Sequence, residues 1–161
     1  MEGWAFAEPR PPAAAVLSPK KFGRCLAIHH SLLRQKRLIV EDNELNLKLL
    51  NDILEYHGYT VFTTRLGEPA LELARQHRPD LILMDIQLPD ISGMEAARRL
   101  KEDDQTRTIP IIAVTAFAMS GDEAQILGSG CDAYVSKPFN LVEFLKLVEH
   151  WTTKSGLIGD R

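Results

Sequence analysis

The sequence predicts an α/β protein in which one parallel sheet of five strands is covered by helices on both faces. Short apolar segments alternate five times with longer segments whose apolar residues recur every three or four positions, as they do in amphipathic helices. The most apolar short segment, residues 81–84, contains only Leu, Ile and Met, which is typical of a strand buried on both faces. Alternation of this kind favours a parallel sheet with crossover helices.

The first two units of this pattern occupy residues 37–78. The first strand covers residues 38–40. The second, residues 60–64, is β-branched and more polar, which fits a position at the edge of the sheet. Gly58 lies just beyond the predicted end of the helix between them. A second helix covers residues 68–77. In the first helix, five apolar residues at helical spacing predict one broad apolar face: Leu45, Leu49, Leu50, Ile53 and Leu54.

The third strand ends at Asp85 and is followed by a short loop. Ser92 and Glu95 form a capping box, so we expect a helix from about Ser92 to Lys101. A fourth strand covers residues 109–115 and ends in a hydroxyl side chain.

The last third of the chain repeats the pattern twice more. A second capping box, Ser120 and Glu123, opens a short helix, and a fifth strand covers residues 133–136. Asn140 caps a final helix that is predicted to run to about Trp151. Its inward-facing residues are Leu141, Phe144, Leu145 and Val148. The five units together predict a flavodoxin-like, doubly wound (βα)5 sandwich of three layers.

Composition excludes several classes of protein. With 45% hydrophobic and 25% charged residues and no apolar run near the ~20 residues that span a bilayer, the chain is not expected to insert into a membrane. Its two cysteines, Cys25 and Cys131, are too few for a disulfide-stapled secreted fold, which favours a reduced, cytoplasmic protein. The first 37 residues carry seven Lys or Arg against two Glu, while the net charge is -3, so the main body is acidic and nucleic acid is not an expected partner.

Residues 1–35 differ from the remainder, being rich in Pro and Ala and then basic. We interpret them either as a disordered extension or as translation from a start codon upstream of the natural one. A basic amphipathic helix over residues 23–36, touching a membrane surface or a partner, is the alternative. The folded domain is predicted to cover residues 36–152, followed by a tail over residues 153–161.

Polar residues mark the ends of four predicted strands. They are Glu41 and Asp42 after the first, Asp85 at the end of the third, Thr115 at the end of the fourth and Lys137 after the fifth. Since parallel strands bring their carboxyl ends to one edge, we expect these side chains to converge. Three nearby carboxylates repel unless one is protonated or a cation joins them, and Mg²⁺ suits oxygen ligands. A metal and an ammonium together suit a phosphoryl group, for which an aspartate is an available nucleophile and Thr115 a hydrogen-bond donor.

Each of these residues also has an ordinary structural interpretation. Lys137, next to Pro138, could be a surface lysine, and Thr115, Glu41 or Asp42 could simply cap a helix. Asp85 alone could be a helix cap or a loop carboxylate. Convergence of all five on one edge is hard to explain by such roles together.

Four segments resemble the receiver domain of two-component response regulators. They are residues 38–43 (LIVEDN), 84–89 (MDIQLP), 114–116 (VTA) and 134–138 (YVSKP), and they fall in order on four strand ends. The resemblance covers residues 36–152. Within the family the chain is most similar to single-domain regulators of the DivK type, which act in cell-cycle and division control in alphaproteobacteria.

The resemblance implies roles for five residues at the strand ends. Asp85 would be the phosphoacceptor, and Glu41, Asp42, Asp85 and the backbone carbonyl of Gln87 would organise Mg²⁺. Lys137 would pair with the phosphoryl group.

Further residues would set the state and lifetime of the phosphorylated form. The resemblance implies that Thr115 and Tyr134 form a switch, although Tyr134 could also be an aromatic packed on the last helix in both states. Gln87 and Phe117 should flank the path of an attacking water, and we expect a bulky Phe117 to slow self-hydrolysis.

The expected partners are proteins. A histidine kinase or phosphotransfer protein would load and unload Asp85, and a downstream protein target would read the changed face of the fourth helix, fifth strand and fifth helix. Only ten residues follow Trp151, so we expect output by protein contact in the cytoplasm, with recruitment to a cell pole through partners. We expect no enzymatic activity of the chain's own.

Two alternatives differ in class. A pseudo-receiver would bind partners without phosphorylation, but such domains usually lack part of the acidic set. An Asp-nucleophile phosphatase resembling the haloacid dehalogenase family would carry a second acid two residues after the nucleophile, where this chain has Gln87.

Overall fold

The computed structural model describes residues 35–116 and 121–158, which form strands and helices in the predicted alternation. The strands are β1 (Lys36–Val40), β2 (Thr60–Thr64), β3 (Leu81–Asp85), β4 (Ile111–Thr115) and β5 (Ala133–Ser136). The helices are α1 (Glu44–Tyr56), α2 (Gly67–His77), α3 (Gly93–Glu102), α4 (Asp122–Gly128) and α5 (Leu141–Ile158).

The strands form one parallel sheet in the order β2-β1-β3-β4-β5. The prediction that the second strand lies at an edge is confirmed. β3 is central and buried along its whole length, as its unbroken apolar run indicated.

Side chains that alternate along the strands divide the core into two clusters. Ile82 and Met84 of β3 pack with α2, α3 and α4 on one face of the sheet. Leu81 and Leu83 pack with α1 and α5 on the other face. This arrangement confirms the predicted three-layer, flavodoxin-like sandwich.

The predicted broad apolar face of α1 is only partly buried. Leu50 and Leu54 are buried, but Leu45 is 79% exposed and Leu49 is 54% exposed. Leu47 of the first turn packs on the same core cluster as Leu50 and Leu54, so these three residues mark the side of α1 that faces the sheet. Leu45 and Leu49 lie on a different side of the helix and stay exposed.

The last helix is longer than predicted. α5 continues past Trp151 to Ile158. No Gly or Pro precedes Gly156 in this stretch, so no residue that disfavours a helix stops it at Trp151. Its buried contacts come from Phe144 and Val148, whereas Leu141 is 43% exposed and was wrongly expected to face inward. The interpretations of residues 1–34 and of Ser120 as a capping residue lie outside the described residues.

A buried arginine joins β1 to the end of α5. Arg37 is fully buried, and its guanidinium donates hydrogen bonds to the Thr152 hydroxyl and to Gln35 Oε1. The guanidinium carbon also lies 4.1 Å from the centre of the Tyr59 ring. Burial lowers the pKa of Arg37. Arginine is mostly exposed in proteins, so the sequence did not predict that this residue is in the interior.

Candidate functional site

The register of the sheet brings two acids to the same level at its carboxyl edge. Val40 pairs with Met84, so that the next residues, Glu41 and Asp85, lie side by side on neighbouring strands. Asp85 in turn pairs with Val114, which places Thr115 just beyond it on the other side. The predicted convergence of strand ends therefore follows from the parallel register.

Three carboxylates form a compact cluster at this edge. Glu41, Asp42 and Asp85 each offer an oxygen, and these oxygens all lie within 4.8 Å of one another. Glu41 is 1% exposed and Asp85 is 5% exposed, whereas Asp42 is half-buried. Carboxylate oxygens at this spacing, open to solvent on one side, fit a hard divalent cation such as Mg²⁺.

Lys137 supplies the positive charge of the cluster. Its Nζ lies 2.6 Å from Glu41 Oε2 and 3.5 Å from Asp85 Oδ2. The backbone N–H of Lys137 donates to the Thr115 carbonyl over 2.7 Å, so the loop after β5 is held against the end of β4. The lysine therefore lies where an anion bound to Asp85 would meet an ammonium group.

The environment of Asp85 opposes its ionisation. Burial raises its pKa to about 7, and the nearby negative charge of Glu41 acts in the same direction. The backbone N–H of Gln87, 3.1 Å from Asp85 Oδ1, and the ammonium of Lys137 act in the opposite direction. A divalent cation at the cluster would relieve the repulsion between Glu41 and Asp85 and favour the charged form.

The loop after β3 passes unusually close to the strand end. The N–H of Gly93 donates to the Ile86 carbonyl over 2.8 Å, and a Cβ at Gly93 would lie 2.0 Å from the carbonyl oxygen of Asp85. Only glycine permits this approach, which brings the start of α3 directly behind the acid. Sequence analysis predicted a capping box at this point, and Ser92 Oγ does accept the N–H of Glu95 over 3.1 Å.

Two of the predicted residues line a cleft beside the acids. Thr115 is 2% exposed, and together with Gln87 and Met94 it lines a space of about 200 Å³ that continues toward α4. Phe117 lies outside the described residues.

Tyr134 stands apart from the acidic cluster. It is half-buried on β5, and its side chain interacts with Glu123 of α4. The hydrogen bond to that carboxylate, together with desolvation, raises the pKa of the Tyr134 phenol. Tyr134 also lines a separate cleft with Phe139 and Leu147, so it is placed between β4, α4 and α5 rather than at the strand-end edge.

An apolar groove of about 300 Å³ begins beside the cluster. Leu49 and Leu50 of α1 line one side, and Lys137 and Phe139 line the other. Leu45 and Leu49 are both exposed, whereas sequence analysis placed them on one apolar face with Leu50 and Leu54 and did not identify a separate surface here.

Sequence analysis also missed two polar contacts that hold the loops of the cluster. Arg65 Nε donates to the Asp42 carbonyl over 3.0 Å. The Asp90 carboxylate accepts the backbone N–H groups of Gly67 and Glu68 at the start of α2. In the sequence Asp90 is simply an acid next to Pro89. No sequence pattern links it to Gly67 and Glu68, which lie 23 and 22 residues away.

Comparison with known proteins gives a consistent family. The sequence model of the response regulator receiver domain matches residues 38–149. The polar-differentiation response regulator DivK of Brucella anthropi is 57% identical over 114 residues, which are 71% of this chain and 93% of that protein. The protein of the same name from Brucella ovis is 55% identical over 114 residues, with the same coverage of 71% and 93%.

Solved structures give the same fold. The receiver domain of a sensor histidine kinase from Pseudomonas aeruginosa PAO1, with a magnesium ion coordinated in its active-site cleft, matches with a TM-score of 0.70 and 36% identity, over 74% of this chain and 98% of that one. A CheY-like receiver domain protein from Methanospirillum hungatei JF-1 matches with a TM-score of 0.73 and 28% identity, over 78% and 99%. None of the helices in the described part of the chain has the length and hydropathy that a bilayer crossing requires.

Proposed function

The chain belongs to the response regulator receiver family and acts in two-component phosphorelay signalling, and we propose that Asp85 is the residue that accepts the phosphoryl group. The observation that carries this proposal is the position of Asp85 at the end of β3, with Lys137 Nζ 3.5 Å from its Oδ2 and two more carboxylates around it. Its carboxylate is nearly buried but faces the one edge of the sheet where the other strand ends converge. No other described acid combines these features.

The transfer step requires little beyond positioning and charge. An oxygen of Asp85 forms a bond to phosphorus while the bond from phosphorus to the donor's imidazole nitrogen breaks, and the electron pair leaves with the imidazole. The carboxylates of Glu41, Asp42 and Asp85 would hold Mg²⁺ together with the Gln87 carbonyl. The bound ion would neutralise negative charge on the phosphoryl oxygens.

Lys137 would stabilise the product. Its Nζ lies closer to Glu41 Oε2 than to Asp85 Oδ2, at 2.6 Å against 3.5 Å. A phosphoryl group on Asp85 adds anionic oxygens within reach of this ammonium, so Lys137 would turn from Glu41 toward the phosphoryl group.

The switch would run from Thr115 to Tyr134. Thr115 is buried beside Gln87, where its hydroxyl could turn toward oxygens newly attached to Asp85. Tyr134 would then leave Glu123 and turn inward, which changes the surface formed by α4, β5 and α5.

Two positions would govern the lifetime of the phosphoryl group. Gln87 lines the same cleft as Thr115, and Phe117 follows Thr115 by two residues. A phosphoryl half-life that does not shorten in Phe117→Ala would contradict a role for Phe117 in excluding water.

The likeness to DivK proteins supports a finer assignment of pathway and location. The relatives carry the name polar-differentiation response regulator, and we propose that this chain likewise acts in cell-cycle or division control. A histidine kinase or phosphotransfer protein would supply the phosphoryl group, and a protein target would read the switched surface. The chain would act in the cytoplasm, where partners recruit it to a cell pole, with residues 36–152 as the receiver domain.

The experiment is phosphoryl incorporation from acetyl phosphate with and without Mg²⁺. We expect label that requires Mg²⁺ in the wild type and in Asp104→Asn, an exposed acid away from the cluster, and none in Asp85→Asn. Absence of label in the folded wild type would favour a pseudo-receiver that binds partners without phosphorylation. Continuous release of phosphate from many substrate molecules would instead indicate a phosphatase.

A further inference from the structure

We propose that Arg65 and Asp90 are positioning residues that clamp the two loops of the metal site to the start of α2. The inference rests on the proposed function, because it concerns the Mg²⁺ site assigned to Glu41, Asp42, Asp85 and the Gln87 carbonyl. Neither residue belongs to that ligand set. Both act through the segment of residues 65–68, here called the α2 lead-in.

Asp90 fastens the loop after β3 to this lead-in. Its Oδ1 accepts the N–H of Gly67 over 2.9 Å, and its Oδ2 accepts the N–H of Glu68 over 2.8 Å. Leu66 occupies the N-cap position of α2 and has no side chain that could do this. Asp90 thus caps a helix that it is not part of, and the cap doubles as a tether for its own loop.

The charge of Asp90 suits this role. Desolvation pushes the pKa of Asp90 upward, but the backbone N–H groups around it, first those of Glu68 and Gly67 and then those of Ile91 and Asp90 itself, together hold the pKa below its usual value. The carboxylate therefore stays ionised, and an anion is favoured at the amino end of a helix.

Apolar packing strengthens the same tether. A Cβ at Gly67 would lie 2.6 Å from Ile91 Cγ1 and 3.3 Å from Leu88 Cδ1, so the loop lies directly on the backbone of α2. Only Leu88 and Pro89 separate Asp90 from Gln87, and the proline ring restricts the backbone between them. The position of the Gln87 carbonyl is therefore closely coupled to Asp90.

The opposite end of the lead-in holds the other acidic loop. Arg65 Nε donates to the Asp42 carbonyl over 3.0 Å, and the N–H of Glu41 donates to the Thr64 carbonyl over 3.1 Å. The lead-in thus contacts both loops, through Arg65 on one side and through the N–H groups of Gly67 and Glu68 on the other.

Metal binding depends on the spacing that this clamp sets. Mg²⁺ demands a near-ideal octahedron of oxygens, and ligands on two separate loops meet that demand only if the loops are held at a set distance. Groups that orient metal ligands commonly change metal affinity by about tenfold or more when removed. We therefore expect Arg65 and Asp90 to act on Mg²⁺ affinity and not on the transfer step itself.

The test measures Mg²⁺ affinity of the full chain by isothermal titration calorimetry. We expect the Kd for Mg²⁺ to rise about tenfold in Asp90→Ala and severalfold in Arg65→Ala. The Kd of Asp90→Asn should lie between those of the wild type and Asp90→Ala, because Asn keeps one acceptor oxygen. With acetyl phosphate as donor, the Mg²⁺ concentration for half-maximal labelling should rise in parallel, while the rate at saturating Mg²⁺ stays near the wild-type value.

Asp103→Ala is the matched control. Asp103 also accepts a backbone N–H, that of Gln105 over 2.9 Å, and pairs with Arg75 Nε over 2.6 Å, but it follows the far end of α3. Its removal should lower stability and leave the Kd for Mg²⁺ unchanged.

Three outcomes decide the inference. Wild-type affinity in both Asp90→Ala and Arg65→Ala, with a lowered melting temperature alone, would overturn it and leave a structural cap. If Asp90→Ala does not fold, the exposed Arg65→Ala decides by itself. Wild-type protein that fails to bind Mg²⁺ would overturn the proposed function and the clamp together, whereas a binding wild type with unaffected variants overturns only the clamp.

Discussion

Gly93 shows how one residue type is required by a contact made elsewhere in the chain. A Cβ at this position would meet the Asp85 carbonyl oxygen at 2.0 Å and the Ile86 Cα at 2.9 Å, and both are backbone atoms. Backbone cannot move aside as the end of a flexible side chain can, so any substitution must displace the end of β3 or the start of α3.

We therefore expect Gly93→Ala to lower the free energy of unfolding by about 1–3 kcal/mol and to weaken Mg²⁺-dependent labelling of Asp85. Gly128→Ala is the matched control, because Gly128 is helical and a Cβ there meets nothing within 4 Å. The control should be neutral or stabilising by up to about 1 kcal/mol. Urea unfolding followed by circular dichroism measures both variants, and equal stability of the two would refute the steric argument.

At the scale of elements, α1 presents an apolar surface directly beside a charged site. Leu45 and Leu49 are 79% and 54% exposed, and Leu49 lines the groove that runs to Lys137. Under the proposed function a donor histidine must come within bonding distance of Asp85, so the donor protein has to cover this edge of the sheet. Apolar side chains next to the site are well placed to contribute to that contact.

We expect the double variant Leu45→Ser/Leu49→Ser to slow phosphoryl transfer from a protein donor by at least about tenfold, because docked apolar area is lost. Labelling from acetyl phosphate, which needs no protein contact, should stay unchanged. Leu141→Ser/Val142→Ser removes two exposed apolar residues from α5 and serves as the control. Equal loss with both donors would mean that α1 supports the site itself and not the docking of a donor.

At the scale of the whole molecule, the acidic cluster makes folding depend on pH. The pKa of Asp85 is about 7 in the folded protein, against about 3.9 for an unfolded aspartate. Between these values the folded state binds more protons than the unfolded state, so the stability contributed by protonated Asp85 is present at low pH and is lost as the pH rises toward 7.

We expect the wild type, in Mg²⁺-free buffer, to lose about 1–3 kcal/mol of unfolding free energy between pH 5 and pH 8 from this residue. Asp85→Asn should lack that part of the loss and should be the more stable protein at pH 8. Adding Mg²⁺ at pH 8 should stabilise the wild type more than Asp85→Asn. Identical pH profiles for the two proteins would argue against burial and repulsion at Asp85.

The sequence by itself determined the alternation of elements and the places where strands end. Apolar periodicity depends only on local geometry, so β3, its neighbours and the acids that follow them could be read along the chain. Parallel strands present their carboxyl ends at one edge of the sheet, so the sequence alone was enough to predict that Glu41, Asp85 and Lys137 lie close together.

Only the tertiary structure decided which partner each side chain found. Leu45 and Leu49 recur at the same helical spacing as Leu50 and Leu54, but the core covers the side of α1 that carries Leu47, Leu50 and Leu54. The sequence suggests that Arg37 is a surface residue, but in the fold its guanidinium is buried and donates a hydrogen bond to Thr152, which is 115 residues away. Asp90 likewise looks like a loop acid until the start of α2 is placed against it. Periodicity reports which way a residue faces, whereas burial and pairing depend on segments distant in sequence that meet only when the layers pack.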